Sequence, residues 1–465
     1  MNAPLSTPSP ATPGIVPRDL LVDPLCGIVR RLTPMPLHED VPPQFHCLVA
    51  EVSDPRQFST WLADKIAGAS GFGDREALVD PAVGEACERY CGNNIPTWLY
   101  RAAPNELREQ GIGFLDPREF PGLPRERQRP HGLYDAEDPE TPILWAQGTG
   151  AHGEQLLVPG SRVYLNWNQG SRRSEPRTHH IAYAGIAAGP TRRFAELSGF
   201  SECVERDVTT AWWALELEAT PIDPASVPGL SAVMDPTPFE LSLLLLPSPE
   251  GIPVVAALVW HPELHIPGAG FSCHGDPSRA VWKALSEAFQ VWTGVRGVRD
   301  PDGGGYRAVR EGILSSRAYF PYRADGRYLD EAGSEFRNVR DLACQAQLWL
   351  DRRLHPYLER FRPDTPAMSV DDIPNVDLEV TWDRYRDDPA NRVAVVDVTT
   401  TDVALAGISV VRVCAPRMLP NFPPAFPTTV SPRWAEHCRA HGLPEPESGD
   451  SIPLSAISLI PMPHM

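Results

Sequence analysis

The sequence predicts an α+β fold, in which helices and strands intermix along one large composite domain. Three observations support this class. Stretches with apolar residues at helical spacing alternate with short apolar runs bounded by Pro and Gly, which are typical of strands. The chain of 465 residues contains 52 Pro and 35 Gly, too many breaks for a coiled coil or a plain helical bundle. Hydrophobic residues make up 42% of it, enough to build a large core.

The helices and strands follow from local signals. Asp80-Pro81 joins an N-cap residue to a Pro at the first helical position, and Val281, Ala284 and Leu285 repeat at helical spacing. The predicted helices run from Asp80 to about Cys91, from Gly189 to about Trp213, from Ser278 to Thr293 and from Asp341 to Phe361. The predicted strands lie within 21–60 and at 143–146, 155–165, 239–246, 252–260, 392–398 and 408–414. Pro, Gly and charge predict loops and short helices over 92–140.

The composition also predicts three parts of the chain. Residues 1–20 are rich in Pro, Ser, Thr and Ala and are expected to form a disordered arm. Residues 21–430 form the expected globular part, and residues 431–465 form a Pro-containing tail. The longest apolar runs are interrupted or too short to cross a bilayer, so a soluble protein is expected. Nine cysteines without a CxxC pair indicate reduced thiols and a cytoplasmic location.

The charge balance limits the partners. Sixty acidic residues against 42 basic ones give a net charge of −18, which argues against a nucleic-acid-binding or anionic-membrane-binding surface. Lys65 and Lys283 are the only lysines in the sequence. Phosphate recognition therefore has to rely mostly on Arg or on bridging metal ions.

One short motif, E-x-x-E-R, occurs twice, each time in a predicted helix. The two copies are Glu85-Ala86-Cys87-Glu88-Arg89 and Glu202-Cys203-Val204-Glu205-Arg206. Residues at i, i+3 and i+4 share one helical face, so each copy presents two carboxylates and a guanidinium side by side. Taken singly, either copy is typical of a solvated, salt-bridged helix face. Two such helices facing each other would instead form a cleft for divalent cations and phosphate.

The same residues carry a family resemblance. The run from Ala195 to Trp213 resembles the signature helix of the YcaO family, and Gly84 to Cys91 resembles the first glutamate helix of that family. Further similar segments extend the resemblance over about residues 21–430. The resemblance implies that this span is a composite catalytic domain, in which the two repeated glutamate-bearing helices pack on mixed sheets. It implies an ATP- and magnesium-dependent enzyme that activates peptide backbone amides in the maturation of ribosomally synthesised peptides, including antibiotics.

The resemblance also implies roles for particular residues. Magnesium would be held by Glu85, Glu88, Glu202 and Glu205. Phosphate would be contacted by Arg89 and Arg206. Glu287 and Gln290 match a later nucleotide-facing pair, and Ser198 lies one turn before Glu202. No residue is assigned as the catalytic acid or base.

The sequence departs from the family pattern at several positions. Phe72 stands where the family has Lys, Pro81 where it commonly has Ser, and Ala184 where it has Asn. The chain ends in Pro461-Met-Pro-His-Met465, with two of the three prolines of the family's C-terminal tail. This tail is either disordered or returns to the active site with His464 or the terminal carboxylate near the chemistry. His261, His265, Cys273 and His274 follow a predicted strand but lack a metal-ligand pattern, so a zinc site is disfavoured.

The implied function is cyclodehydration of Cys, Ser or Thr to thiazoline or oxazoline. Two alternatives stay open: the same activation that gives a thioamide or a macrocyclic amidine, and a degenerate, non-catalytic scaffold that binds peptide. Expected partners are a precursor peptide and a leader-binding protein of the E1-like or ocin type. A homodimer is left open.

Overall fold

The computed structural model describes residues 20–53 and 65–465. Nearly all of the predicted 1–20 arm and part of the 21–60 region therefore lie outside the described residues. The strands are β1 Val29–Pro34, β2 Phe45–Val52, β3 Ile66–Phe72, β4 Tyr100–Ala102, β5 Ile143–Thr149, β6 Gln155–Pro159, β7 Ile186–Gly189, β8 Thr220–Pro221, β9 Glu240–Leu246, β10 Val254–His261, β11 Ile266–Cys273, β12 Ala394–Asp397 and β13 Ser409–Cys414. The α-helices are α1 Val79–Asn93, α2 Pro104–Glu109, α3 Gly160–Val163, α4 Arg192–Ala214, α5 Leu230–Met234, α6 Pro277–Arg296, α7 Gly304–Arg310, α8 Leu342–Gln347, α9 Leu378–Asp387, α10 Thr401–Leu405 and α11 Arg433–Ala440.

The strands form three sheets. Their orders are β1-β2-β3, β11-β10-β9-β8 and β4-β5-β12-β13-β7, with β6 added to the last sheet beside β5. Every ladder between these strands is antiparallel. Helices packed on antiparallel sheets confirm the α+β class. The sheets were expected to be mixed in direction, and the ladders correct this point.

Most predicted elements occur where the sequence indicates them, with three corrections. The helix expected over 341–361 ends at Gln347, and 3-10 turns that include Pro356 follow it to Phe361. Pro lacks the N–H that a continuous α-helix needs. The strand expected over 155–165 ends at Pro159, after which α3 begins. Strand β11 is not predicted, because its sequence IPGAGFSC has the Pro and Gly content of a loop.

The glycines of β11 allow this strand to pack closely against α6. Its residues are all buried, and α6 lies directly against it. A Cβ on Gly270 would collide with the backbone of Ala284 and Ala288, and a Cβ on Gly268 would lie 2.7 Å from Trp292 Cβ. The two glycines therefore let the backbone of α6 approach the sheet closely.

Three large apolar clusters surround three helices. The first is built around α4 and β9 to β11, the second around α1 and the β5, β12 and β13 region, and the third around α6 and the other face of β10 and β11. Each helix buries one side and turns its polar side to the space between them. None of the described helices is both long enough and apolar enough to span a bilayer.

Candidate active site

Helix α1 carries the first copy of the motif on its half-buried side. Ala82, Val83, Ala86 and Cys87 pack into the core, and this packing directs Glu85, Glu88 and Arg89 away from it. Glu85 forms an ion pair with Arg89. The backbone N–H of Ala188 on β7 donates to Glu88 Oε1 at 2.7 Å. The first two glutamates are thus fixed against the edge of the six-stranded sheet.

Helix α4 carries the second copy. Thr191 caps its N-terminus by accepting from the N–H of Phe194. Glu202 Oε2 accepts from the backbone N–H of Gly185 at 3.1 Å, and Glu205 Oε2 accepts from that of Cys273 at 3.1 Å. Arg206 lies beside both carboxylates, with Nε 3.5 Å from Glu205 Oε1 and Nη2 3.8 Å from Glu202 Oε1.

Helix α6 completes the group. Glu287 Oε2 accepts from the backbone N–H of Phe271 at 3.4 Å. Gln290 is bound differently, because its side-chain oxygen accepts from Ser70 Oγ at 2.9 Å at the end of β3. Ser198 is half-buried on α4, one helical turn before Glu202.

The pKa shifts of these groups indicate that they form one electrostatic unit. Burial raises the pKa of Glu202, and Glu205 and Glu85 raise it further against the opposing effect of Arg206. Burial and then Glu205 raise the pKa of Glu287 to about 7. Burial opposes the charge on Arg206, but Glu205, Glu202 and Glu287 outweigh it and raise its pKa. Residues from α1, α4 and α6 therefore face one another across a single cleft.

The pKa values of the two glutamates on α1 show the effect of this crowding. Burial raises the pKa of Glu88 far above its usual value, and the neighbouring Glu85 and Glu202 add to the effect. Burial also opposes ionisation of Glu85, but Arg89 and a hydrogen bond from Glu88 outweigh it and lower its pKa. Like charges held this close together disfavour ionisation of both carboxyl groups at once.

A divalent cation fits this donor set. Hard cations prefer carboxylate oxygens, and Mg²⁺ usually takes only one or two carboxylates together with water and phosphate oxygens. Across residues 20–53 and 65–465, no three His, Cys, Asp or Glu side chains are arranged to hold a metal ion by themselves. His261, the last residue of β10, lies with Nε2 3.0 Å from Asp40 Oδ2.

Lys283 is a site residue that the sequence analysis did not assign. It lies one turn before Glu287 on α6. Burial opposes its charge, but Glu205, Glu287 and Glu202 outweigh this effect and raise its pKa. The i, i+4 spacing of Lys283 and Glu287 is the signal that could have identified it.

His464 also reaches this cleft. Its Nε2 lies 3.0 Å from Arg206 Nη1, and its Nδ1 lies 3.0 Å from the carbonyl oxygen of Ala269. Arginine can only donate, so Nε2 accepts and the ring proton is on Nδ1. Burial and the charge of Arg206 lower the pKa of His464 to about 3. The C-terminal tail therefore returns to the site, and its histidine is neutral there.

Of the three substituted family positions, Phe72 and Ala184 lie beside the cleft. Phe72 joins an aromatic cluster in which its ring centroid is 5.1 Å from that of Trp282. Pro81 is exposed in the first turn of α1. Ala184 follows Tyr183, whose ring lies under the Arg89 guanidinium at 4.5 Å. An aromatic ring thus stands near two of the positions where the family has polar side chains.

Comparison with protein families gives a match over residues 69–419 to the model described as YcaO cyclodehydratase, which binds ATP and Mg²⁺. This agrees with the expected ATP and Mg²⁺. A curated relative, an uncharacterized protein in the tfuA 3′ region of Rhizobium leguminosarum bv. trifolii, is 29% identical over 252 residues. The match covers 49% of this chain and 55% of that protein, so the chain spans about half the length of this relative.

Solved structures share the fold at low sequence identity. A heterocyclase in complex with substrate and cofactor is 20% identical with a TM-score of 0.68, over 97% of this chain and 58% of that chain. YcaO from Methanopyrus kandleri, bound with AMPPCP and Mg²⁺, is 18% identical with a TM-score of 0.52, over 88% of this chain and 91% of that chain. The Escherichia coli microcin synthetase McbBCD complex contains a chain that is 13% identical, with a TM-score of 0.52, over 83% of this chain and 88% of that chain.

Proposed function

The chain belongs to the YcaO family, and from this premise we propose that it uses ATP and Mg²⁺ to activate backbone amides of a ribosomally made peptide. The observation that carries the proposal is the cleft between α1, α4 and α6. Five carboxylates face three cations there: Glu85, Glu88, Glu202, Glu205 and Glu287 against Arg89, Arg206 and Lys283. Such an excess of negative charge is costly without added cations.

The proposed roles follow from position. Glu85 and Glu88 on one side, and Glu202 and Glu205 on the other, would hold Mg²⁺. Bound Mg²⁺ would neutralise charge on the phosphates as the phosphoryl group moves. Arg89 and Arg206 would bind phosphate oxygens. Glu287, Gln290 and Ser198 would complete the nucleotide-facing surface, with Gln290 held by Ser70.

The proposed reaction is cyclodehydration. A Cys thiol or a Ser or Thr hydroxyl of the peptide adds to the preceding backbone carbonyl, and its proton is lost. The resulting oxygen takes the γ-phosphoryl group of ATP, and ADP leaves. The C–O bond then breaks, phosphate departs, and loss of the amide N–H proton forms the C=N bond of the azoline ring. His464 is not proposed as the base, because both of its ring nitrogens are already used.

We further propose a cytoplasmic location and a leader-binding partner of the E1-like or ocin type. The cytoplasm supplies ATP, and its reducing conditions suit nine free cysteines, eight of them buried. The McbBCD structure is a complex that has also been solved with pro-MccB17 bound. By analogy, we expect this chain to work with a partner and a precursor peptide.

The test is phosphate release from ATP with a Cys-, Ser- or Thr-rich precursor peptide from the same genomic neighbourhood, with its neighbouring proteins present. Azoline formation is expected to lower the peptide mass by one water per modified residue. A gain in peptide mass that corresponds to replacement of one oxygen atom by sulfur would indicate a thioamide. A macrocyclic amidine also loses water, but it leaves cysteine thiols open to alkylation.

The site assignment is tested by Glu88→Gln and Glu202→Gln. Each is expected to abolish ATP turnover, because each removes a proposed Mg²⁺ ligand. Glu196→Gln is the matched control, since Glu196 lies on α4 but pairs with Arg192 at 2.9 Å outside the cleft. If the wild-type chain neither binds nor hydrolyses ATP with every partner present, the enzyme proposal fails and the scaffold alternative stands.

A further inference from the structure

A cavity of about 530 Å³ opens beside the carboxylate cluster, between the end of β3 and the first half of α6. Phe72, Val233 and Trp282 form its apolar walls, and Lys283 lies at its polar end. The walls are fixed by packing, because the ring centroid of Phe72 is 5.1 Å from that of Trp282 and 5.4 Å from that of Phe45. Lys283 interacts with the carboxylates as well. The cavity therefore adjoins the proposed catalytic cleft at Lys283.

Strand β3 ends in this cavity and is an edge strand of its sheet. Two backbone hydrogen bonds flank its ladder with β2. The N–H of Val52 donates to the carbonyl oxygen of Lys65, and the N–H of Gly73 donates to the carbonyl oxygen of Gln44. In an antiparallel pair such bonds fall on every second residue. The odd-numbered residues of β3 thus face β2, whereas Ile66, Gly68, Ser70 and Phe72 direct their N–H and C=O groups outward.

This outward edge is open to a further strand. Among residues 20–53 and 65–465, no other segment makes a backbone hydrogen bond to these four residues. Most side chains of this strand are small, since its sequence IAGASGF consists mainly of Gly, Ala and Ser. A row of unpaired main-chain groups on a flat edge is the surface that extended peptides recognise by strand addition.

We propose that the peptide substrate binds in extended form along the outer edge of β3, with one of its apolar side chains in the cavity between Phe72 and Trp282. This inference rests on the proposed function and names the substrate surface of that same site. Main-chain pairing with β3 fixes the peptide backbone, which is the part of the substrate that reacts. The Phe72–Trp282 cavity then selects an apolar residue near the modified one.

The adenine ring of ATP is the competing occupant of this cavity. The observations favour the peptide for two reasons. The edge of β3 offers a repeating pattern of donors and acceptors, which matches a peptide backbone and not a single base. Among the residues that the structure describes, Lys283 is also the only charged one that lines the cavity, so its walls suit an apolar side chain.

The first experiment keeps the protein unchanged. Capped peptides of Gly and Cys with one Leu are titrated into the full chain in the presence of a non-hydrolysable ATP analogue and Mg²⁺. Single N-methyl groups are then placed at successive peptide positions. We expect the loss of affinity to alternate with a period of two residues, because alternate N–H groups of an added strand face β3. A uniform loss, or no saturable binding up to millimolar peptide, would overturn the proposal.

The second experiment separates the two occupants. Trp282→Ala is expected to weaken peptide binding by about tenfold or more, as loss of a central aromatic contact does, with little change in affinity for the ATP analogue. Trp98→Ala is the control, because Trp98 is 75% exposed and does not line the cavity. If Trp282→Ala weakens nucleotide binding instead, the cavity holds the base and the proposal is wrong.

The two proposals fail separately. If the wild-type chain does not bind the ATP analogue with Mg²⁺ and releases no phosphate, the proposed function fails. The alternating effect of N-methylation would still be seen for a scaffold that binds peptide along β3. If nucleotide binds and turns over but peptide affinity shows no alternation, only the β3 surface is excluded.

Discussion

Arg206 is the residue on which most of the site depends. It lies between Glu202 and Glu205 on its own helix and contacts His464 from the C-terminal tail. The tail histidine is held in turn by Ala269, and Gln345 donates to its carbonyl oxygen at 3.0 Å. A neutral acceptor at this place restrains the guanidinium without neutralising its charge, so Arg206 keeps its full charge for phosphate.

Substitution of His464 tests this positioning role. His464→Ala is expected to raise the KM for ATP several-fold, because Arg206 loses its fixed acceptor. His464→Gln is expected to restore much of the affinity, since the amide can accept from Arg206 and donate to Ala269. Steady-state kinetics of both variants, with thermal melting to check folding, is the measurement. Equal KM values for all three proteins would exclude positioning of Arg206 by this residue.

The same histidine makes stability depend on pH. The pKa of His464 is lowered to about 3 in the folded chain, whereas an unfolded histidine titrates near 6.5. Below about pH 6.5 the unfolded chain therefore binds a proton that the folded chain rejects. The contribution of His464 to stability is complete above that pH and falls towards pH 3 by up to about 1.4 kcal/mol per pH unit.

Urea unfolding of wild type and His464→Gln between pH 7 and pH 4 measures this difference. The wild type is expected to lose more stability over that interval than the variant, while other buried histidines affect both proteins alike. Parallel curves would show that His464 is accessible to protons in the folded chain.

At the scale of elements, the position of α6 depends on β11. This helix bears Lys283, Glu287 and Gln290, and it lies on a strand whose glycines leave room for its backbone. The contact decides where these three side chains stand relative to α1 and α4. A change in the strand should therefore displace α6 and alter the site, and a Cβ on Gly270 would also lie 2.7 Å from Glu287 Cβ.

Gly270→Ala is the corresponding variant. The added methyl group would collide with the backbone of Ala284 and Ala288, so a loss of about 1–3 kcal/mol in the free energy of unfolding is expected from overpacking. Affinity for an ATP analogue with Mg²⁺, measured by calorimetry, should also fall. Gly304→Ala is the control, since nothing lies within 4 Å of a Cβ at that position. Unchanged nucleotide affinity in folded Gly270→Ala would show that α6 does not set the site.

The site residues of α1 and α4 could be predicted from the sequence. The spacing of Glu85, Glu88 and Arg89, and of Glu202, Glu205 and Arg206, fixes which residues share a helical face, because that is a local property. Lys283 could have been identified in the same way from its i, i+4 spacing to Glu287, but strand β11 depends on contacts between distant segments. Gly268 and Gly270 have the pattern of a loop until α6 is placed against them. Local signals cannot supply that contact.

At the scale of the whole molecule, the C-terminal region is tied to the helix that carries the second motif. Asp207, the residue after Arg206, is fully buried and accepts from Arg433 Nη2 at 2.6 Å and from His437 Nε2 at 3.0 Å. It also accepts from the backbone N–H of Leu419 at 2.9 Å. One carboxylate thus fastens the segment after β13 and helix α11 to α4, so the structure of the site and that of the C-terminal region are coupled.

Asp207→Asn should break this coupling. The cationic partners and hydrogen bonds of Asp207 outweigh its burial and hold its pKa far below the usual value, so it is charged throughout the neutral range. An amide removes that charge, turns N–H groups towards donors, and leaves Arg433 with Glu250 and Glu436 as its counter-ions. Breaking a buried ion pair typically costs about 3–5 kcal/mol. Glu445→Gln is the control, because its pair with Arg439 of α11 is exposed and should contribute little to stability. Urea unfolding at pH 7 compares the two variants. ATP turnover at a temperature where both are folded shows whether the loss of stability also affects the function of Arg206.

If the two variants are equally stable, Arg433 is already compensated by Glu250 and Glu436, and the C-terminal region must be held by its apolar contacts instead.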